Sequence, residues 1–454
     1  MKKIFTSLVL FLGISYSETI SFEELLKQSI NNSKELQKRE IDIDISKKSQ
    51  DEIIGIETGK LYISSEISRT NHAGHVFNSK LSSREATFRD FGFIEMEKQN
   101  PIDIDTAPKD LNYPNSRTNI NTKIVYDLPL FTGFVLSNYK DIAKLQEKAN
   151  EYLYNLDEKN LEYEVLKAYN SSVLAKDFVQ TLERANSTVE FIYEGAKKFH
   201  ENGLVTKLDV NEAKVYKLSL QAELLKAKNN FKLALSYLKF LSGNSNINDV
   251  QSLKNIYFDL QNFDELYEMA LLKRDEKNLV NINIEANNKN IKANQGSYYP
   301  NVFTRLEYGH NDNNFTASSD KDYYLAFLGI NLTLFDYSRS SKLEKSRLEL
   351  LKSKLDMQKL DDGIKLELNE ALLNFNSTQD EQKVYLEALN LAYEVLEQAK
   401  LQYKNRLISM TTLLSQETNY RKSQTMLLNA RYETSLALAK LKKVLGLNLI
   451  KDEK

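Results

Sequence analysis

Two histidines three residues apart, in His72-Ala73-Gly74-His75, are the first place to look for metal chemistry. They stand in a polar stretch with no acidic or cysteine company, so the spacing assembles no ligand set. His200 and His310 are isolated, and cysteine is absent, which excludes disulfides and thiolate sites. No phosphate-cradling P-loop, zinc-protease HExxH or GxSxG nucleophile elbow occurs. Nothing brings a nucleophile, a base and an oxyanion site together. The chain is therefore not read as an enzyme, and neither cofactor nor metal is expected. Charge is abundant but balanced, 61 basic against 63 acidic residues, which points away from a nucleic-acid partner.

The residues with a task sit instead in a stretch that occurs twice. Asn202–Gly243 and Asn405–Gly446 align without a gap at an offset of 203 residues: Leu204 meets Leu407, Val205 meets Ile408, Thr206 meets Ser409, and Gly243 meets Gly446. A repeat of this length marks one architectural unit built twice. In the first copy Leu220, Leu224, Ala227, Phe231, Ala234, Leu238 and Leu241 are spaced 4-3-4-3-4-3, a heptad seam facing a partner helix. The hydroxyl of Thr206 caps such a helix, and Asp209 in its first turn compensates the dipole. Phe178, Leu182, Ala185, Val189, Ile192, Ala196 and Phe199 form a matching seam upstream. Each copy thus reads as a helix-hairpin tip followed by a long return helix.

The elements that position these tips follow from periodicity. Ser21 and Glu24 form a capping-box signature, and a helix is expected from there to about Gly55. Near Gly59 the period changes to two, giving strands at about 60–69 and 119–131. The polar stretch 70–118 between them holds Pro101, Pro108 and Pro114 and reads as a surface loop. A helix from about 135 to 200 would span roughly 100 Å. The second half repeats the plan: a helix over 263–297 with Asp264 as its cap, strands at about 302–309 and 322–335, and a helix from 338 to 405. The strand-to-helix junctions correspond, LPLFTG at 128–133 and LTLFDY at 332–337.

Lys2 and Lys3 followed by apolar Ile4–Ile14, with Ser15 and Ser17 at cleavage spacing, predict a secretory signal over 1–17. No later apolar run is long enough for a membrane helix. Strands of about ten residues are long enough to cross a bilayer at a tilt. Four cannot close a barrel, since open edges in hydrocarbon leave backbone groups unpaired. Three copies would close it. The alternative at this point is a soluble antiparallel sheet with one buried face.

SFEELLKQSINNS (21–33), the GxxTxxDVNEA pattern (203–213), LLKRDEKNLV (271–280), SYYPNVF (297–303), the two aromatic junctions and the closing LSG and VLG glycines resemble the TolC-like outer-membrane efflux proteins. The likeness covers nearly all of the mature sequence, and it rests on the order of these patches in both halves.

The resemblance implies a mainly α fold with a small β part: long antiparallel coiled-coil helices forming a helical barrel, plus four transmembrane strands per chain that make a twelve-stranded barrel as a homotrimer. The expected segments are the signal at 1–17, a periplasmic helix at 18–59, strands 1 and 2 at 60–131 with the outer loop 70–118, and a long hairpin with linker at 132–262. A second periplasmic helix at 263–299, strands 3 and 4 at 300–336, a second hairpin at 337–446 and a tail at 447–454 complete the chain. The protein would lie in the outer membrane, in contact with its lipid, and extend into the periplasm. There it would work with a periplasmic adaptor and an inner-membrane transporter as a passive duct for small molecules or polypeptides. A soluble periplasmic coiled-coil adaptor and a surface structural protein are the rivals.

The same likeness assigns residues. Gly203, Leu204, Val205 and Thr206, with Arg406, Leu407, Ile408 and Ser409, would contact the adaptor; the alternative is that Leu204 and Leu407 only cap hairpin cores. The family's tip glycine is kept at Gly203 and replaced by Arg406. Its gate acids, six and nine positions beyond the second tip glycine, fall on Thr412 and Ser415, while Asp209 and Glu212 remain in the first copy. A weak cation-blocking site is therefore expected. Glu66, Lys123, Asp127, Arg305, Glu307 and Asn331 would face the barrel lumen, a mixed set that suggests low charge selectivity.

Overall fold

The structure is a computed structural model that describes residues 18–98, 101, 103–252, 262–316 and 319–449. The expected signal at 1–17 and the last five residues of the tail lie outside the described residues. In chain order the elements are β1 (Glu18–Ile20), α1 (Phe22–Asn32), α2 (Lys34–Glu57), β2 (Lys60–Thr70), α3 (Ala73–Ser82), α4 (Phe93–Glu97), α5 (Lys109–Asn112), β3 (Arg117–Phe131), α6 (Val135–Glu201) and α7 (Lys207–Ser242). There follow β4 (Ile247–Val250), α8 (Phe263–Lys273), α9 (Asp275–Gln295), β5 (Asn301–Asp312), β6 (Asp322–Asn331), α10 (Tyr337–Lys404) and α11 (Met410–Val444). None of the described helices is long and apolar enough to cross a membrane.

The chain divides into two compact units. The first takes residues 1–42, 149–281 and 355–454 and is helical. Its core follows the expected seams: Leu182, Ala185 and Val189 of α6 pack on Leu220 and Ala227 of α7. Closer to the tips, Ile192, Ala196 and Ala213 meet Leu396, Ala399, Met410, Leu413 and Leu414 of the second hairpin. A parallel pair of short strands, β1 with β4, buries Ile20, Ile247 and Val250 against Tyr169, whose hydroxyl donates to the carbonyls of Ile20 and Gln251 at 3.2 and 3.0 Å. No local periodicity announces this pair.

The two expected shorter helices are each broken. The segment from Ser21 stops at Ser33 and restarts as α2, and the segment from Phe263 stops at Arg274 and restarts as α9. At each break the cap N–H still reaches back, Ser33 to Ile30 and Arg274 to Ala270, so a backbone bond closes the first helix. Ser21 accepts from the Glu24 amide as expected, but the Glu24 carboxylate accepts from Gln28. The cap of α8 is Asn262 rather than Asp264, which lies in the first turn.

The second unit, residues 43–148 and 282–354, carries the sheet β2-β3-β5-β6, antiparallel throughout. The strands run slightly past the predicted ends, except β6, which stops at Asn331, short of Leu332 and Leu334. β2 and β6 are the outer strands and pair on one side only. The stretch 70–118 is not a bare loop. It holds α3, a 3-10 turn at Phe88–Phe91, α4 and α5. A capping box between Thr87 and Asp90 starts the 3-10 turn, and Gly92 ends it at φ +82 with no room for a Cβ beside Pro108.

Candidate functional site

The two hairpin tips have the same backbone. After α6 the amides of Gly203 and Leu204 donate to His200 and Phe199 at 2.9 and 2.8 Å; after α10 those of Arg406 and Leu407 donate to Tyr403 and Gln402, both at 2.9 Å. Both are Schellman closures, which require a left-handed residue. Gly203 supplies it at φ +70 and Arg406, a non-glycine, at φ +63. Leu204 and Leu407 are exposed, Leu407 by 72%, so neither closes a hairpin core. Ile408 does, packed against the cluster of Met410 and Leu413, while Val205 is half-buried. Thr206 and Ser409 then cap the return helices, accepting from the amides of Asp209 and Thr412 at 3.3 and 3.1 Å.

The first-copy acids are engaged. Asp209 completes a capping box, its carboxylate accepting from the Thr206 amide at 2.9 Å and hydroxyl at 2.6 Å. Glu212 accepts from the Thr411 hydroxyl at 3.0 Å, which ties α7 to α11. Thr412 and Ser415 are exposed and carry no charge. Between these elements the Tyr403 hydroxyl is buried without a partner. Burial pushes it up to about 12, and Asp209 and Glu212 add to the rise.

One turn further from the tips lies a polar cluster that the sequence reading missed. Glu417 of α11 is 2% exposed and accepts from the Tyr216 hydroxyl of α7. That hydroxyl also pairs with Thr418 at 2.7 Å and accepts from Arg421 at 3.4 Å. Arg421 bridges back to Glu223 of α7 at 2.9 Å. Burial raises the Glu417 carboxyl above its ordinary value, against the pull of Tyr216 and Arg421. The same burial, with Glu417 beside it, raises the Tyr216 hydroxyl. The available signal was a charge on the core stripe: Glu417 and Arg421 continue the spacing of Met410, Leu413 and Leu414.

In the sheet unit, register places Leu61, Ile63 and Ile67 beside Tyr126, Ile124 and Ile120, and carries that face on through Leu306 and Tyr308 to Ala326 and Tyr324. Apart from the buried Ile120 these residues are largely exposed, and the face turns polar at its far end, where Thr122, His310, Asp312 and Asp322 share it. The opposite face holds Glu66, Lys123, Asp127, Arg305, Glu307 and Asn331 together. Four of them pair: Arg305 grips Asp127 through two bonds of 2.6 and 3.0 Å, and Lys123 lies 3.1 Å from Glu307. Glu66 and Asn331 are exposed. Each ion pair spans β3 and β5, so it fastens the strand contributed by one half of the chain to that of the other.

The rings of His72 and His75 lie 5.0 Å apart, tilted at 58°, and His310 binds Asp322 at 2.8 Å. Among the described residues no group of three or more His, Cys, Asp or Glu is arranged to hold a metal ion.

Residues 106–244 and 266–447 match the family of outer membrane efflux proteins. The chain is similar in structure to CusC, a protein that forms a transmembrane channel (14% identity, TM-score 0.76, covering 94% of this chain and 92% of that one). It is likewise similar to the Campylobacter jejuni CmeC outer membrane channel (14%, 0.72, 95% and 87%). The open state of the Neisseria gonorrhoeae MtrE outer membrane channel gives 14% identity, a TM-score of 0.75, and coverage of 95% and 90%. No curated protein matches. At such identities the likeness is one of fold.

Proposed function

The chain belongs to the outer membrane efflux protein family, whose members are channels rather than enzymes, and on that premise we propose that three copies close a passive exit duct through the outer membrane and periplasm. The observation that carries this reading is the sheet: one face largely apolar and exposed, the other charged, and both outer strands unpaired on one side. Exposed edges are not tolerated in hydrocarbon, where each unpaired N–H or C=O costs several kcal/mol. Pairing β6 of one copy with β2 of the next removes every edge and gives twelve strands, four per copy. The apolar face then meets lipid, and Glu66, Lys123, Asp127, Arg305, Glu307 and Asn331 line the lumen.

The helices support association of copies. Leu208, Val215, Leu218, Leu225, Leu233 and Phe240 form a second stripe on α7, exposed in the single chain and near heptad spacing. A neighbouring copy is what covers it. The tips Gly203–Thr206 and Arg406–Ser409 receive a periplasmic adaptor, which links the duct to an inner-membrane transporter. The gate lies at Asp209, Glu212, Thr412 and Ser415. Energy comes from the transporter, since the chain has no nucleotide motif, and the cargo is small molecules or polypeptides. Residues 1–17 act as the export signal.

Light scattering of the purified mature protein in detergent, combined with planar-bilayer recording and heat-modifiable gel migration, tests this. A trimer that forms pores is expected. A monomer that stays dissolved without detergent and makes no pores would end the proposal, and would favour the soluble adaptor.

A further inference from the structure

We infer that the folded segment between β2 and β3 is a cap inside the outer mouth of the barrel, and that its exposed aromatic patch meets the same patch of the other two copies at the three-fold axis. The inference rests on the trimeric-barrel reading above. Within one chain the cap is fastened to the charged face of the sheet. Arg117 shares that face with Asn121 and Lys123 by strand alternation, and it donates to Ser79 and Ser83 of the α3 segment at 2.9 and 2.8 Å. The Glu85 carboxylate joins Arg117 to Lys321, and Lys321 reaches Asp312 at 2.6 Å. Arg84, held at φ +55, donates to the carbonyls of Asp320 and Asp322 at 2.7 and 2.8 Å. Beneath the cap Ser79, Ser83 and Asn311 are buried. All these anchors lie at the end of the sheet away from the strand-to-helix junctions, which is the outer end in the duct.

The cap has a firm body. Phe77 meets Phe91 edge-on at 5.0 Å, Phe88 meets Phe93 at 5.3 Å, Lys80 pairs with Asp90, and Glu95 accepts from the Lys109 amide at 2.7 Å. Yet Phe88, Phe91, Phe93 and Met96 remain exposed, Phe88 by 77%. A contiguous apolar patch on a well-fixed body marks an interaction surface. Lipid is not its occupant, because the serines of the cap sit on Arg117, which projects from the sheet face that carries the ion pairs. In a closed barrel that face surrounds the lumen, so the patch of one copy stands opposite the patches of the two sister copies. The three patches together narrow the outer mouth with aromatic rings.

Because the chain lacks cysteine, single cysteines report this directly. Under three-fold symmetry a residue can cross-link to its own counterpart only near the axis. Phe88→Cys and Phe93→Cys are introduced separately, with Tyr324→Cys on the apolar sheet face as the off-axis control. Each trimer, its mass verified by light scattering, is treated with a short bis-maleimide. The expected result is cross-linked dimers for Phe88→Cys and Phe93→Cys and none for Tyr324→Cys. Trimers of correct mass in which neither cap cysteine cross-links, and in which both are labelled on whole cells by a bulky PEG-maleimide, overturn the inference and leave the duct standing. Absence of any trimer in all three variants overturns the duct reading and the cap with it.

Discussion

Gly203 and Arg406 occupy one conformation in two copies of the same turn, at φ +70 and φ +63, although only one of them is glycine. An L-residue in this region costs about 1–2 kcal/mol. Glycine avoids that cost but adds about 0.5–1 kcal/mol of freedom to the unfolded chain. Arg406→Gly is therefore expected to change stability by less than about 1 kcal/mol, whereas a β-branched Arg406→Val loses roughly 2 kcal/mol. Nothing lies within 4 Å of a Cβ built on Gly203, so Gly203→Ala is limited to backbone strain. Thermal unfolding in detergent ranks the four proteins; Arg406→Val as stable as the parent would contradict the assignment.

On the proposed gate reading, Thr412 and Ser415 place hydroxyls where acidic-gated relatives would carry carboxylates. Wild-type channels in planar bilayers are expected to show weak block by multivalent cations. Thr412→Asp combined with Ser415→Asp places charged rings at the constriction and should tighten block by about tenfold or more, equivalent to ~1.4 kcal/mol. Strong block of the wild type that Thr412 or Ser415 substitution abolishes would refute the gate reading.

Glu417 makes the joint between α7 and α11 sensitive to pH. Its carboxyl is raised by burial, so the folded state holds the proton more tightly than the unfolded one. That contribution is complete below the ordinary carboxyl value and is lost as pH rises through the raised one. The groups facing it are Tyr216, Thr418, Arg421 and Glu223, with Lys400 acting at longer range. Glu417→Gln should flatten the dependence of melting temperature on pH above about 4.3 while keeping an acceptor for Tyr216. Glu417→Ala removes one acceptor of the half-buried Tyr216 hydroxyl, which keeps Thr418, and should cost about 1 kcal/mol. Identical pH profiles for wild type and Glu417→Gln would remove the carboxyl from the account.

In the proposed barrel the paired charges Asp127–Arg305 and Lys123–Glu307 would give the wall little net field. Arg305→Ala leaves the Asp127 carboxylate without its two-bonded partner, once per copy, and should move reversal potentials in a salt gradient towards cation preference. Asp127→Asn should move them towards anions. The wild type should lie between the two, close to zero.

The long elements were legible because their periods are long. Fourteen seam residues of α6 and α7 place those helices without ambiguity, and alternation in β2, β3, β5 and β6 puts the six charged-face residues together. What was illegible depends on distant or short contacts. Glu18–Ile20 has meaning only beside Ile247–Val250, more than two hundred residues away. Helices of four to ten residues between Thr70 and Arg117 are too short to set a period, and their prolines read as loop. The cluster around Tyr216 was missed because the two repeats differ there: Leu218 stands where Arg421 does, and Lys214 where Glu417 does. A search for what the copies share passes over what only one of them carries.

In the proposed barrel the two half-paired strands also imply an order of events during biogenesis. A solitary subunit entering the bilayer would present a row of bare amides along β2 and another along β6 to oil. Subunits must therefore find one another before, or while, they insert, and a chain defective in either rim would poison its sisters rather than simply drop out.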